Sequence, residues 1–130
     1  MTEKNTLTPL EIEQKKQSHR LRKVTLLWLS KVYPAAFNMA DPKPLKRQIE
    51  QDILDRVKGK KDVPSNRLIR RAVAYYTNNK AYHEAILRET HRINLEGEQI
   101  EALEERHKDF SKKRLEEIKE LLKNRRHPDN

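Results

Sequence analysis

The stretch Ser65-Asn-Arg-Leu-Ile-Arg-Arg-Ala-Val-Ala-Tyr-Tyr76 constrains this chain more than any other. Leu68, Ile69, Ala72, Val73 and Tyr76 recur at the spacing of one helix face, which predicts a helix whose apolar stripe must be covered. Ser65 stands where a side chain can cap that helix, and Arg67, Arg70 and Arg71 crowd its first two turns. Only 35% of the 130 residues are hydrophobic and 38% are charged. The stripe therefore sits in one small core, with much of the surface left to solvated charge.

The covering elements can be read on either side. Thr8-Pro9-Leu10-Glu11 has the form of a capping box with proline at the first helical position. No glycine or proline follows until Pro34, so one long helix or two abutting ones run to about Val32. Glu13 to Arg20 is polar, and Leu21, Val24, Leu27, Trp28, Leu29 and Val32 are expected to face the core. Tyr33-Pro34-Ala-Ala-Phe37 ends the helix, because a residue before proline avoids the α region. After a loop over 38–44, a helix from about Leu45 to Val57 is expected from Leu45, Ile49, Ile53 or Leu54, and Val57. A short helix covers about Lys80 to Leu87, with Tyr82, Ala85 and Ile86 inward. Thr90 to Leu95 alternates, Glu96-Gly97 is a turn pair and Glu98 to Ile100 can return, predicting a hairpin that must pack on the helices. From about Ala102 to Asn124 the chain reads as a charged helix with a stripe of Leu103, Phe110, Leu115, Ile118 and Leu122. It could dock on the domain, pair with another chain or stand free. Residues 125–130 read as a frayed tail. The fold class is mainly α, with a small β-hairpin and a charged C-terminal helix.

Catalysis is not expected. The five histidines are scattered, there is no cysteine, and glycines only at positions 59 and 97 leave no phosphate-cradling loop. Carboxylates lie among lysines on helical faces, which suits solvation better than acid–base chemistry. No cofactor, metal or small-molecule substrate is implied. No apolar run approaches the ~20 residues of a membrane helix, and Met-Thr-Glu-Lys-Asn has no apolar signal core behind it. A cytoplasmic protein that does not engage membranes is the expectation.

The net charge of +9 is uneven: residues 41–92 carry thirteen basic and seven acidic groups, residues 93–130 nine and ten. A polyanionic partner is one reading, and a lysine-rich soluble helical protein is the other. At the start of the arginine-rich helix the residue three after Ser65 is Leu68 rather than an acid, so the first N–H groups beside Arg67 and Arg70 form either an anion site or an ordinary serine cap. Arg67 faces Arg70 and Arg71 at like-charge spacings that cost roughly 0.2–0.5 kcal/mol each. Either an outside anion compensates them or they are solvated surface arginines. Tyr82 can stack on a base and hydrogen-bond a phosphate, and Arg92 offers a bidentate fork. Tyr76 is assigned to the core, and Tyr75 is left open.

These residues resemble the ProQ/FinO family of bacterial RNA chaperones. The resemblance rests on Trp28-Leu-Ser-Lys-Val-Tyr33-Pro34-Ala-Ala-Phe37, Lys43-Pro44-Leu45-Lys46, Ser65 with Leu68-Ile-Arg-Arg-Ala-Val73, Tyr76-Thr77-Asn-Asn-Lys-Ala-Tyr82 and Arg92-Ile-Asn-Leu-Glu-Gly97, in order. It implies a FinO/ProQ-like RNA-binding domain over 21–100, flanked by a basic helical extension over 1–20 and a charged helix and tail over 101–130. It further implies a protein that binds small RNAs and mRNAs at the base of a terminator hairpin and its single-stranded 3′ uridine tail, stabilising them and assisting pairing; a monomer is expected. Ser65, Asn66, Arg67, Tyr82 and Arg92 would hold the 3′ end. Lys46, Arg70 and Arg71 would contact the duplex backbone; Arg47-Gln48 departs from the small or apolar pair including glycine of many relatives, so that either this turn of helix sits differently or Arg47 adds a phosphate contact. Without the linker and second β-rich domain of the largest members, a short form is expected. The alternatives are a helix-turn-helix DNA binder reading with Ser65–Tyr76, and a protein-interaction module built on the C-terminal helix.

Overall fold

A computed structural model of the chain describes residues 7–126, with side chains to residue 124. The first six residues of the expected N-terminal extension, and residues 127–130 of the expected frayed tail, lie outside the described residues. The element order is α1 (Pro9–Val32), α2 (Ile49–Val57), α3 (Asn66–Thr77), α4 (Lys80–Arg88), β1 (His91–Ile93), β2 (Gln99–Ala102) and α5 (Glu105–Arg126). This is the expected class, mainly helical with one antiparallel hairpin.

α1 is a single helix opened by the capping box: the Glu11 N–H donates to Thr8 Oγ1 at 3.1 Å and the Thr8 N–H donates to Glu11 Oε1 at 2.9 Å. Its buried face matches the expected stripe only at Leu29 and at Trp28, which packs half-buried against the core. Thr25, Leu26 and Leu29 are buried, whereas Leu21, Val24, Leu27 and Val32 are exposed. α1 meets the body chiefly along α3, and the line of contact runs through Arg22, Thr25, Leu26 and Leu29, part of a turn away from the more apolar face. Thr25 tolerates burial because its hydroxyl donates to the Leu21 carbonyl at 2.7 Å.

α3 lies at the centre with Ile69, Ala72, Val73 and Tyr76 buried as the spacing predicts, while Leu68 of the same stripe is only half-buried. Phe37 and Tyr82 flank the Tyr76 ring at centroid distances of 5.1 and 5.9 Å. The Tyr76 hydroxyl accepts from the Asn38 N–H and donates to its carbonyl, tying the loop after α1 to α3. Burial pushes that phenol up to about 12.

α2 starts at Ile49, four residues later than expected from Leu45. Pro44–Lys46 instead lies beside β1: the Ile93 N–H donates to the Pro44 carbonyl and the Lys46 N–H to the Ile93 carbonyl, both at 2.8 Å, forming a parallel bridge of Leu45 to Ile93. Gln48, at φ 62°, then turns the chain into α2 through a left-handed conformation. Leu45 still points into the core, so an extended residue followed by a helix imitates one long helical stripe.

In the hairpin Arg92 faces Glu101 across the strands. Gly97, at φ 84°, has no room for a side chain, since a Cβ would lie 2.9 Å from Ala35 Cβ. β2 runs to Ala102, so α5 begins at Glu105 rather than near Ala102. Of the three fates open to the last helix, α5 docks on α4. Ser111 lets the two helices approach and contacts the buried His83, Nδ1 to Oγ at 3.0 Å. Lys108 Nζ donates to the carbonyls of Ile86, Leu87 and Glu89 at 2.7–3.2 Å, closing the C-terminus of α4. Leu103, Leu115 and Ile118 are half-buried, but Phe110 and Leu122 are exposed. The contact line passes through Ser111, and these two side chains fall to its outer side.

Candidate nucleic-acid interface

A cleft of about 330 Å³ opens between the turn before α2, the flank of α3, and β1. Lys46, Arg47, Arg70, Thr77, Tyr82 and Arg92 are among its lining residues. Leu45 is the hinge of its construction. The Tyr82 hydroxyl, delivered by the first turn of α4, accepts from the Leu45 N–H at 2.9 Å. Arg92 Nη1, delivered by β1, donates to the Leu45 carbonyl at 2.9 Å. Two side chains of the cleft thus hold both backbone polar groups of one residue, and so set the turn that carries Lys46 and Arg47.

Each of these groups keeps a donor in reserve. The Tyr82 oxygen is used as an acceptor, which leaves its own proton to give, and burial raises its pKa above the ordinary 10, so the proton stays on at neutral pH. The Arg92 side chain is 11% exposed, and its buried Nε has no hydrogen-bond partner. Glu101 Oε2 lies 3.8 Å away, near enough for Coulomb attraction and too far for a hydrogen bond. An arginine cannot discharge itself, and an unmet buried donor costs about 1–3 kcal/mol. An anionic oxygen entering the cleft would offset that cost.

The rim cations are mostly paired within the chain. Lys46 Nζ lies 2.7 Å from Asp52 Oδ2, and Arg47 Nη2 lies 3.1 Å from Glu101 Oε2. Glu101 therefore serves Arg47 and Arg92 together. Arg70, exposed on α3, has no carboxylate within ion-pair distance among the described residues.

The cleft gathers five of the nine residues singled out in the sequence: Lys46, Arg47, Arg70, Tyr82 and Arg92. Ser65, Asn66 and Arg67 do not line it. Ser65 caps α3 by accepting from the Leu68 N–H at 3.2 Å, about 7 Å along the helix from Arg70 and about 18 Å from Thr77 at 1.5 Å per residue. The helix start that opens on the cleft is that of α2, where Gln48 makes no side-chain cap. Arg71 lies on the opposite flank of α3, in a second groove with Arg22, Tyr75 and Lys80. Thr77, Gln48 and Glu101 were not singled out in the sequence. Thr77 follows Arg70 by seven residues and shares its face, and Glu101 could have been found by pairing the hairpin back from Glu96-Gly97. Among the described residues no cluster of His, Asp or Glu suits a metal ion, and no helix is long and apolar enough to cross a membrane.

A sequence model of the ProQ/FINO family matches residues 19–128. Among characterised proteins, the RNA chaperone ProQ of Pseudoalteromonas atlantica is 35% identical over 98 residues, covering 75% of this chain and 45% of that protein. The RNA chaperone ProQ of Idiomarina loihiensis is also 35% identical over 98 residues, covering 75% and 47%. The chain thus spans a little under half the length of these relatives. The solution structure of a ProQ homolog from Legionella pneumophila superposes with a TM-score of 0.60 at 24% identity, over 72% of this chain and 79% of that one. The crystal structure of a FinO-like RNA chaperone from Neisseria meningitidis does so with 0.55 at 20% identity, over 69% and 92%. At those identities the likeness is one of fold.

Proposed function

This chain belongs to the ProQ/FINO family, and from that premise we propose that it is a cytoplasmic, monomeric RNA chaperone, not an enzyme, whose cleft receives the free 3′ end of a structured RNA. The carrying observation is the Arg92 guanidinium, buried at the cleft with its Nε unmatched beside the Tyr82 hydroxyl. A terminal nucleotide brings what those donors lack: phosphate and hydroxyl oxygens. Lys46, Arg47 and Arg70 at the rim then meet backbone phosphates of the stem. The major groove of an A-form stem is too deep and narrow for side chains to read, so selectivity falls on the junction between the stem and its single-stranded uridine tail, the arrangement of an intrinsic terminator. Ser65, Asn66 and Arg67, exposed beyond the end of the cleft, contact the strand leading into it, and Arg71 meets RNA from the far side of α3. By holding small RNAs and mRNAs in this way the protein protects their ends and assists pairing.

Binding of a terminator hairpin should weaken at least tenfold when its tail is deleted or its 3′ hydroxyl is replaced by phosphate. Equal affinity for all three RNAs would exclude the 3′-end receptor. Competition by duplex DNA at the same salt concentration would instead favour a DNA-binding role for α3.

A further inference from the structure

The second groove, about 790 Å³, runs along the opposite flank of α3, between α1, the start of α4 and α5. Arg22, Arg71 and Lys80 line it with Tyr75, Asn78 and Ile118. Among the described residues none of the three cations has a carboxylate within ion-pair distance. Arg22 is the most constrained: its guanidinium carbon lies 5.3 Å from the centre of the Tyr75 ring, and its buried Nε has no hydrogen-bond partner. Arg114 reaches Asn78 at 3.4 Å and is neutralised by Glu117 at 2.9 Å. A groove with three unpaired cations, two amide side chains at residues 78 and 79, and the half-buried Tyr75 ring beside Ile118 matches a chain of phosphates carrying flat apolar bases. Only Ala74 lines both this groove and the first cleft. Ala74, exposed on α3, thus stands between them, with Arg70 lining one and Arg71 the other.

We propose that this second groove is a binding site for single-stranded RNA, separate from the 3′-end cleft, with phosphates on Arg22, Arg71 and Lys80 and a base against Tyr75. It rests on the reading of the protein as an RNA binder, and it adds a strand that the cleft does not account for. That strand is either the same RNA continued over Ala74 or a second molecule.

The test uses the full chain and an unstructured, fluorescently labelled 12-nucleotide RNA whose 3′ end is blocked by phosphate, added alone and to protein saturated with a tailed hairpin. R71E/K80E, two exposed positions, is compared with K58E/K61E, which makes the same charge change in the exposed turn before α3. The expected result is at least a tenfold loss of oligonucleotide binding in R71E/K80E only, with its salt slope reduced by about 1.4 at roughly 0.7 per single-strand phosphate contact. Persistence of oligonucleotide binding on hairpin-saturated protein identifies a second molecule. Displacement by hairpins with long single-stranded flanks, but not by short ones, identifies a continued strand. Equal losses in the two double variants, or none in R71E/K80E, overturn the proposal. Failure of the wild-type protein to distinguish blocked from free hairpin ends would overturn the 3′-end reading alone, because the oligonucleotide is blocked throughout.

Discussion

Four basic side chains line the cleft on one flank of α3, and three of them face a carboxylate of this chain, Asp52 or Glu101. The groove on the other flank holds Arg22, Arg71 and Lys80 with no such partner among the described residues. One helix thus separates a site whose cations mostly face carboxylates from one whose cations do not. In the first, acids hold the cations in position, and on the proposed function RNA has to displace them. In the second the cations repel one another until a polyanion arrives. The cleft is suited to selecting a particular end, and the groove to taking any strand, with affinity that falls steeply as salt is added.

The largest expected effect that would break this contrast is Arg92→Ala. It removes the buried donor and one of the two holds on Leu45, so hairpin affinity should fall by about 2–3 kcal/mol, roughly 30- to 150-fold, while oligonucleotide binding in the second groove stays within threefold. Arg92→Lys, which keeps charge without the fork, should recover only part of the loss. Parallel losses at both sites in a filter-binding titration would show that the cleft and the groove are one site.

Lys108→Met comes next. Three carbonyls at the end of α4 lose their cationic donor, which should cost about 1–2 kcal/mol and lower the midpoint of thermal unfolding by several degrees. Because α5 supplies Ile118 to the second groove, oligonucleotide binding should suffer more than hairpin binding.

A pH series separates the two regions through His83. Its burial, with Arg114 nearby, lowers its pKa below the ordinary 6.5. The unfolded chain therefore takes up a proton that the folded chain resists, so the stability tied to neutral His83 is complete above about 6.5. It is lost as pH falls through the lower folded value. The packing of α5 on α4, and the groove it walls, should loosen in that window while the cleft persists. Hydrogen exchange at α5 amides in wild type and His83→Gln reads this directly: identical pH profiles would relieve His83 of the role.

The smallest effect should be a gain. Glu101→Gln removes the carboxylate shared by Arg47 and Arg92, and hairpin affinity should rise by about 0.5–1 kcal/mol, two- to fivefold at low salt. A loss would mean that Glu101 positions the arginines rather than competing with the phosphate.

Helix existence was legible residue by residue: Thr8 with Glu11, Pro34, the Ser65 cap and the Glu96-Gly97 turn mark boundaries through local chemistry that needs no partner. The buried stripe of α3 was legible too, because a central helix has one answer to which face is apolar. α1 was misread at Leu21, Val24, Leu27 and Val32, since a helix touching the body along one line leaves its other apolar face exposed. α2 was extended to Leu45 because an extended residue can occupy the place of a helical turn in the core. Within the site, Arg70, Tyr82 and Arg92 stood out as residue types suited to RNA, while Glu101 and the uncapped start of α2 became visible only with strand register and turn geometry.

The sequence by itself determined a small helical domain with a hairpin and a central arginine-bearing helix, because caps, breakers and periodicity act over a few residues, while the family came from the resemblance of motifs in order along the chain. Only the tertiary structure decided that the arginines of α3 divide between two grooves and that Tyr82 and Arg92 meet at one residue, Leu45. It alone showed which cations already have a carboxylate. Those relations join residues up to 54 positions apart, such as Arg47 and Glu101, and distance in space between such residues is set by packing, which no local pattern records.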